Sequence, residues 1–259
     1  GAMDDFKVWN RALSPTEICA DSESELCVQW VWSEPAKVFF TRNEITVGQF
    51  QNWVNTCDPN DSRFVCSQPT LYRPYSNNSV ECNFGRPSSP GSTPDRLAMN
   101  CVYVDEAYNF CFHQDDGANV LFQEEWRLEA SASYGSATQT YPWGNQAPSC
   151  DYAIMSDPSG GTFPGCVNDS ANSHPGEVCS GARPLSRSGL CNMGGNVSEW
   201  FYDAQTASTG VIGGAYTSFD PNDFLSTQSS LTLPTNDREP EQGIRCMKQP
   251  KGTLNTTAP

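Results

Sequence analysis

The chain has 259 residues, of which 37% are hydrophobic, 20 are glycine and 19 are proline, so we expect many loops around a modest core. Its 30 acidic and 15 basic residues give a net charge of -15, which argues against nucleic acid and anionic membranes as partners. No apolar run approaches the roughly 20 residues that a membrane-spanning helix needs, which argues against membrane insertion.

The first residues suggest that the chain was cut from a longer protein. Gly1, Ala2 and Met3 resemble an expression scar. Residues 4–18 predict a short strand and a helix start, and this stretch resembles the closing strand of laminin-G-like jelly-roll domains. We interpret residues 4–36 as an N-terminal segment. It is either the tail of a preceding laminin-G-like domain in a multidomain chain or a first edge strand.

A strand and a helix are the first elements expected in the main domain. Residues 39–45 predict the strand. Thr46 is placed to cap a helix that continues to Val54, because its hydroxyl can accept a hydrogen bond from the first helical turn. Apolar residues at helical spacing give this helix one buried face, which consists of Val47, Phe50, Trp53 and Val54.

Two further helices are expected before a long irregular region. They cover residues 104–112 and residues 123–131. In the first of them we expect three residues to face the core, namely Ala107, Tyr108 and Cys111. Residues 134–188 predict mostly loop, and residues 249–259 predict a disordered tail.

The cysteine content predicts an extracellular protein. The chain has 12 cysteines and only two histidines, His113 and His174, and no two cysteines form a CxxC pair, so the usual zinc spacings are absent. A large, even number of cysteines is typical of disulfide-bonded proteins made in an oxidising compartment. We therefore expect disulfides throughout the chain and a secreted or cell-surface location.

A set of short segments carries family-specific motifs in a fixed order. They read Glu-Ile-Thr-Val-Gly-Gln-Phe (44–50), Asn-Cys-Val (100–102), Glu-Trp (125–126), Tyr-Pro-Trp-Gly-Asn (141–145), Gly-Gly-Asn-Val-Ser-Glu-Trp (194–200), Gly-Gly-Ala-Tyr (213–216) and Gly-Ile-Arg-Cys (243–246). Together they resemble the formylglycine-generating enzyme (sulfatase-modifying factor) family over residues 37–248. The resemblance implies an α+β domain with an irregular, loop-rich, C-type-lectin-like fold that is stapled by disulfides.

The residues that would carry the family's chemistry are missing from this chain. The family enzyme oxidises a cysteine of sulfatases to formylglycine, and it uses two spaced cysteines that bind copper. The corresponding positions here are Ser218 and Asp223. A hydroxyl and a carboxylate neither hold Cu(I) nor perform thiolate chemistry. We therefore expect no copper and no oxidase activity of this kind.

The resemblance also implies a calcium site beside the motif at residues 194–200. The residues that match the family's ligand positions are Asn192, Gly195, Val197 and Glu199. A side-chain amide, two backbone carbonyls and a carboxylate form an oxygen-only ligand set, which suits Ca²⁺. The alternative is a hydrogen-bonded loop without a metal ion.

One disulfide is implied by the resemblance, and the others are suggested by nearness in sequence. The family has a disulfide at the positions of Cys111 and Cys246. Nearness suggests the pairs Cys19–Cys27, Cys57–Cys66, Cys82–Cys101, Cys150–Cys166 and Cys179–Cys191. Connectivity cannot be deduced from sequence alone, so other pairings of these cysteines stay open.

We expect a non-catalytic recognition or adhesion module in a secreted or cell-surface multidomain protein, with a protein or glycan as its ligand. The candidate ligand-binding residues are Ser218, Asp220, Asn222 and Asp223. One alternative is an enzyme with altered, oxidase-like chemistry in the same pocket, and another is a purely structural domain of a surface assembly. A pocket lined by convergent polar groups would favour binding, whereas a filled site would favour a structural role.

Overall fold

The structure is a computed structural model, which describes residues 27–56, 82–84, 94–115, 117–132, 138–157, 166, 174–228, 231–232 and 239–250. The stretch with the laminin-G-like resemblance lies outside the described residues, as do the pair Cys57–Cys66 and residues 251–259. Cys19, the expected partner of Cys27, also lies outside them.

The described part of the chain contains eight strands and three α-helices. The strands are β1 (Trp30–Ser33), β2 (Val38–Thr41), β3 (Ala118–Phe122), β4 (Ser198–Asp203), β5 (Ser208–Ile212), β6 (Leu231–Thr232), β7 (Gln242–Gly243) and β8 (Cys246–Lys248). The helices are α1 (Val47–Thr56), α2 (Val104–Gln114) and α3 (Gln123–Ala130). None of these helices has the length and apolar character that crossing a membrane requires. This α+β composition with long loops confirms the predicted fold class.

The strands form one mixed sheet in the order β1-β2-β8-β3-β4-β5-β6, and β7 pairs with the start of β4. Strand β1 precedes residue 37 in the chain and pairs with β2 at the edge of the sheet. Strand β4 runs parallel to both β3 and β7. Because β8 lies between β2 and β3, residues 246–248 are fixed within the sheet.

The two faces of the sheet are covered by different parts of the core. Trp200 in β4 packs on one face with Phe50 and Trp53 of α1. The next residue, Phe201, packs on the opposite face with Trp126 of α3. Successive side chains of a strand point to opposite faces of the sheet. Because both Trp200 and Phe201 are buried, β4 is covered on both faces.

The start of α1 confirms the predicted cap. The Oγ1 of Thr46 accepts a hydrogen bond from the backbone N–H of Gln49 at 3.1 Å. The side-chain oxygen of Gln49 in turn accepts the backbone N–H of Thr46 at 3.1 Å. This reciprocal pair satisfies two donors that a helix start would otherwise leave unpaired.

Two details of the predicted elements were wrong. The strand predicted over residues 39–45 ends at Thr41, because the chain bends there and Glu44 turns into the core. Tyr108 does not face the core and is 43% exposed. The buried face of α2 is centred on Ala107 and Cys111, and Tyr108 lies beside it, stacked on Phe112 at 6.0 Å.

Four disulfides join the described segments, and each is among the predicted pairs. They are Cys82–Cys101, Cys111–Cys246, Cys150–Cys166 and Cys179–Cys191. Cys27 is also disulfide-bonded. The bond between Cys111 and Cys246 spans 135 positions and connects α2 to the centre of the sheet through β8.

Candidate functional site

A turn of two glycines leads from β5 toward the predicted ligand-binding residues. Gly213 and Gly214 have φ angles of 99° and 70°, which residues with a side chain rarely adopt. A Cβ on Gly214 would lie 3.0 Å from the ring of Phe224 and 3.1 Å from the backbone oxygen of Asp223. Glycine is therefore required for the close approach between the start and the end of this loop.

Ser218 and Asp223, the positions expected to correspond to the family's cysteines, are close together in space. Ser218 and Asp223 are both half-buried, and the Ser218 side chain is close enough to the Asp223 carboxyl to lower its pKa. The Ser218 oxygen also accepts the backbone N–H of Ala215 at 3.0 Å. Burial raises the pKa of Asp223, the nearby Ser218 side chain opposes this rise, and Asp220 adds to it. A hydroxyl and a carboxyl group thus occupy the two positions.

The residues between this pair face the solvent. The ring of Phe219 is 63% exposed, and Asp220 and Asn222 are exposed as well. The Oδ1 of Asp220 accepts both the backbone N–H and the side-chain amide of Asn222, each at 2.9 Å. These bonds cap a short 3₁₀ helix at Pro221–Phe224, so the loop presents Phe219 from a hydrogen-bonded backbone.

Stacked aromatic rings support the end of this loop. Phe224 is buried, and its ring centroid lies 5.9 Å from that of Trp143. Trp143 stacks on Tyr141 at 5.3 Å and on Tyr152 at 6.1 Å, with an interplanar angle of 8° in each case. The end of the loop therefore packs against a cluster of aromatic side chains.

A shallow cleft lies beside the aromatic stack. It is lined by Pro142, Trp143, Tyr152, Pro184, Ser186, Asn192, Met193 and Gly194. Its empty volume is about 200 Å³, including space open to solvent. Small-molecule sites usually begin at about 300 Å³. Even with that open space included, the cleft is smaller than a typical small-molecule site.

A second cluster of polar side chains is buried beneath the motif at residues 194–200. We call it the buried charge network, and it consists of Glu44, Asn196, Glu199 and Arg245, each at most 1% exposed. Arg245 donates from Nε to Oε1 of Glu199 at 2.5 Å, and from Nη1 to the backbone oxygen of Thr41 at 2.8 Å. The pairing is required here, because an unpaired charge would be costly in the interior.

Glu44 connects the same network to the loop before β4. Its two carboxylate oxygens accept the side-chain amide of Asn196 at 2.7 Å and the backbone N–H of Val197 at 3.1 Å. Burial raises the pKa of Glu44 to about 8, Arg245 opposes this rise, and Glu199 adds to it. Burial also raises the pKa of Glu199, and Arg245 opposes that rise.

The side-chain oxygens of the expected calcium ligands already have partners within the protein. In Glu199, Oε1 bonds Arg245 and Oε2 accepts the indole N–H of Trp126 at 2.9 Å. The Oδ1 of Asn192 accepts the backbone N–H of Cys179 at 2.9 Å. With both side chains engaged and a guanidinium at the carboxylate, these residues do not fit a calcium ion in this arrangement.

The other two expected ligands, Gly195 and Val197, lie in the same buried segment. Gly195 has a φ of 83°, and a Cβ there would lie 2.5 Å from the backbone oxygen of Ile154. Within the residues that the structure describes, no group of three or more His, Cys, Asp or Glu side chains is arranged to hold a metal ion.

Sequence reasoning did not identify Glu44 and Arg245 as parts of a site. Both lie in segments that carry the family resemblance, and each is the one charged residue of its motif. Their partners, however, lie 152 positions away for the Glu44–Asn196 bond and 204 positions away for the Arg245–Thr41 bond. No local pattern predicts contacts at that distance along the chain.

One protein family has a sequence model that matches most of the chain. The family is described as "Sulfatase-modifying factor enzyme 1-like domain", and the match covers residues 22–250. No curated protein sequence matches the chain.

Among the solved structures that resemble this one are three with a TM-score of 0.54 each. PvdO from Pseudomonas aeruginosa is 17% identical, and the match covers 82% of this chain and 80% of that chain. Treponema denticola variable protein 1 is 12% identical over 86% of this chain and 91% of that chain. CarF is 17% identical over 87% of this chain and 99% of that chain. At these identities the likeness establishes the fold alone.

Proposed function

The chain belongs to the sulfatase-modifying factor enzyme 1-like domain family, and on that basis we propose that it is a non-catalytic recognition module of a secreted or cell-surface multidomain protein. The observation that carries the proposal is the pair Ser218 and Asp223 at the positions of the family's cysteines. The two side chains lie close together at the base of an exposed loop.

The chemistry of this pair argues against the family's oxidation reaction. That reaction needs thiolates, which are soft ligands for copper and can exchange with the thiol of a substrate. An oxygen pair is a poor ligand for Cu(I) and forms no disulfide. The disulfides Cys111–Cys246 and Cys179–Cys191 use other cysteines of the chain, so neither of these pairs is available to replace the missing thiols.

The surface of residues 218–223 suits a binding partner. An exposed aromatic ring is a typical anchor of protein interfaces, because it buries a large area at a small cost in side-chain entropy. Phe219 supplies this ring, and Asp220 lies next to it. No lysine or arginine occurs between Arg187 and Arg238, so the loop belongs to an acidic stretch of the chain. The ligand is a protein or a glycan, and this charge favours a protein that presents basic side chains.

The proposed extracellular location rests on the disulfides. Disulfides persist in oxidising compartments and are rare in the cytosol. The described part of the chain contains four with both cysteines placed, and Cys27 takes part in a further one. These bonds support secretion or display at the cell surface.

A Cu(I) titration of the purified chain tests the loss of the family's metal chemistry. We expect no Cu(I) binding by the wild-type chain, because its oxygen pair is a poor ligand. The double variant Ser218→Cys/Asp223→Cys, kept reduced, is expected to bind Cu(I), since the two positions are already adjacent. Tight Cu(I) binding by the wild-type chain would contradict the proposal.

A selection experiment tests the recognition role. A displayed library of random peptides and a glycan array are screened against the chain, and the binders are then tested on Phe219→Ser and Asp220→Asn variants. We expect basic peptides to be selected and to lose binding to both variants. Leu128→Ser is the matched control, because Leu128 is an exposed apolar residue on α3 at 42% exposure. Binders that tolerate both loop variants, or that lose binding only to the control, would contradict the proposed site.

A further inference from the structure

We infer that the guanidinium of Arg245 takes the structural role of the expected calcium ion, so that the segment from Cys191 to Glu199 is held by a side-chain cation and needs no metal. This inference concerns the stability of the folded domain and does not depend on the recognition function. It rests on the contacts of Arg245 and on the partners of the expected ligands.

Arg245 binds the kinds of oxygen atom that calcium uses, and it binds them in the same segment. Its Nη2 donates to the backbone oxygen of Cys191 at 2.7 Å and approaches that of Asn192 at 3.4 Å. Its Nε bonds the carboxylate of Glu199, and its Nη1 bonds the backbone oxygen of Thr41. Backbone carbonyls and a carboxylate are also the ligands that Ca²⁺ takes in proteins. One guanidinium therefore joins the two ends of this segment to β2 and β8.

A calcium ion on Glu199 would be placed beside this positive charge. The Arg245 side chain is fully buried, and like charges repel strongly where water is excluded. The ion would also have to displace the indole N–H of Trp126 from Glu199 and the backbone N–H of Cys179 from Asn192. A buried donor that loses its partner destabilises the fold, so both displacements oppose metal binding.

Neighbouring groups hold the same segment without a metal ion. The disulfide Cys179–Cys191 fixes the start of the segment. In the middle of the segment, Asn196 and Val197 donate hydrogen bonds to the two carboxylate oxygens of Glu44. The segment is therefore bonded along its length by groups of the chain itself.

Metal content and thermal melting of the purified full chain test this inference. We expect calcium, measured by mass spectrometry after dialysis, to be far below one ion per chain. We also expect the same melting temperature in EDTA and in calcium, since a ligand stabilises only a folded state that binds it. One calcium ion per chain together with a lower melting temperature in EDTA would overturn the inference.

Two variants separate the roles of the arginine and of a metal ion. Asn192→Ala removes an expected calcium ligand and should lower the melting temperature equally in EDTA and in calcium. Arg245→Lys keeps the charge, but an ammonium lacks the planar fork that reaches several oxygens at once. It too should melt earlier by the same amount in both buffers. If either variant lowered the melting temperature only in calcium, the segment would be held by the metal, and the inference would be overturned. Because both substitutions are mild, this test remains informative even if Arg245→Met fails to fold.

Discussion

The buried charge network and the exposed loop at residues 218–223 place charged side chains in opposite environments. In the network, Arg245 and Glu199 are sealed in the core and bond residues that are far away in the chain. In the loop, Asp220 is exposed and bonds the backbone and the side chain of Asn222, two positions away. In this chain, long-range contacts hold the buried core together, whereas the exposed loop is held by local bonds, so we expect substitutions in the loop to leave the core undisturbed.

Removal of one partner of the buried ion pair should have the largest effect on the frame. Glu199→Gln leaves the guanidinium of Arg245 without its counter-charge, and breaking a buried pair in this way costs about 3–5 kcal/mol. The free energy of unfolding in urea measures the effect. Glu34→Gln is the matched control, because it removes the exposed ion pair with Lys37 and should leave the unfolding free energy unchanged. Equal effects of the two substitutions would contradict the contrast between network and surface.

Two disulfides test whether the stabilisation by a bond increases with the separation of its cysteines along the chain. Replacing both Cys111 and Cys246 by alanine opens a bond across 135 positions, whereas replacing Cys179 and Cys191 opens one across 12. Chain entropy makes the longer closure more stabilising by about 2 kcal/mol. Urea unfolding of the two double variants checks the difference. A larger loss from the shorter bond would show that local strain or packing outweighs long-range closure.

Loss of the cap on α1 should have an intermediate effect. Thr46→Ala removes the hydroxyl that accepts the N–H of Gln49, and such caps contribute about 0.5–2 kcal/mol. Thr46→Ser keeps the hydroxyl and should retain most of the unfolding free energy, which makes it the control. Equal losses in the two variants would assign the effect to the methyl group, and the helix start would then be held by packing rather than by the cap.

Substitution of the exposed ring should have the smallest effect on stability. Phe219→Ser removes a side chain that is mostly in solvent, so the unfolding free energy should change by no more than about 0.5 kcal/mol. The same variant should lose the peptides selected on the wild-type chain. A large loss of stability would mean that Phe219 supports the frame, and the division between frame and loop would fail.

The sequence predicted the parts of the molecule that depend on local patterns. The cap at Thr46 follows from residue types three positions apart, and residues 104–112 and 123–131 have helical spacing. The exposure of Tyr108 was missed, because neighbouring apolar residues on a helix leave the limit of the buried face undefined. The network of Glu44 and Arg245 was missed for a different reason, since only the folded sheet brings these residues together.

The conversion of a cysteine-containing, sulfatase-type peptide is the most direct test of the central claim. The peptide is incubated with the wild-type chain, copper and oxygen, and its mass is then measured. We expect that the peptide is not converted to the formylglycine form, because Ser218 and Asp223 supply no thiolate. Formylglycine formed by the wild-type chain, and not by copper alone, would contradict the account.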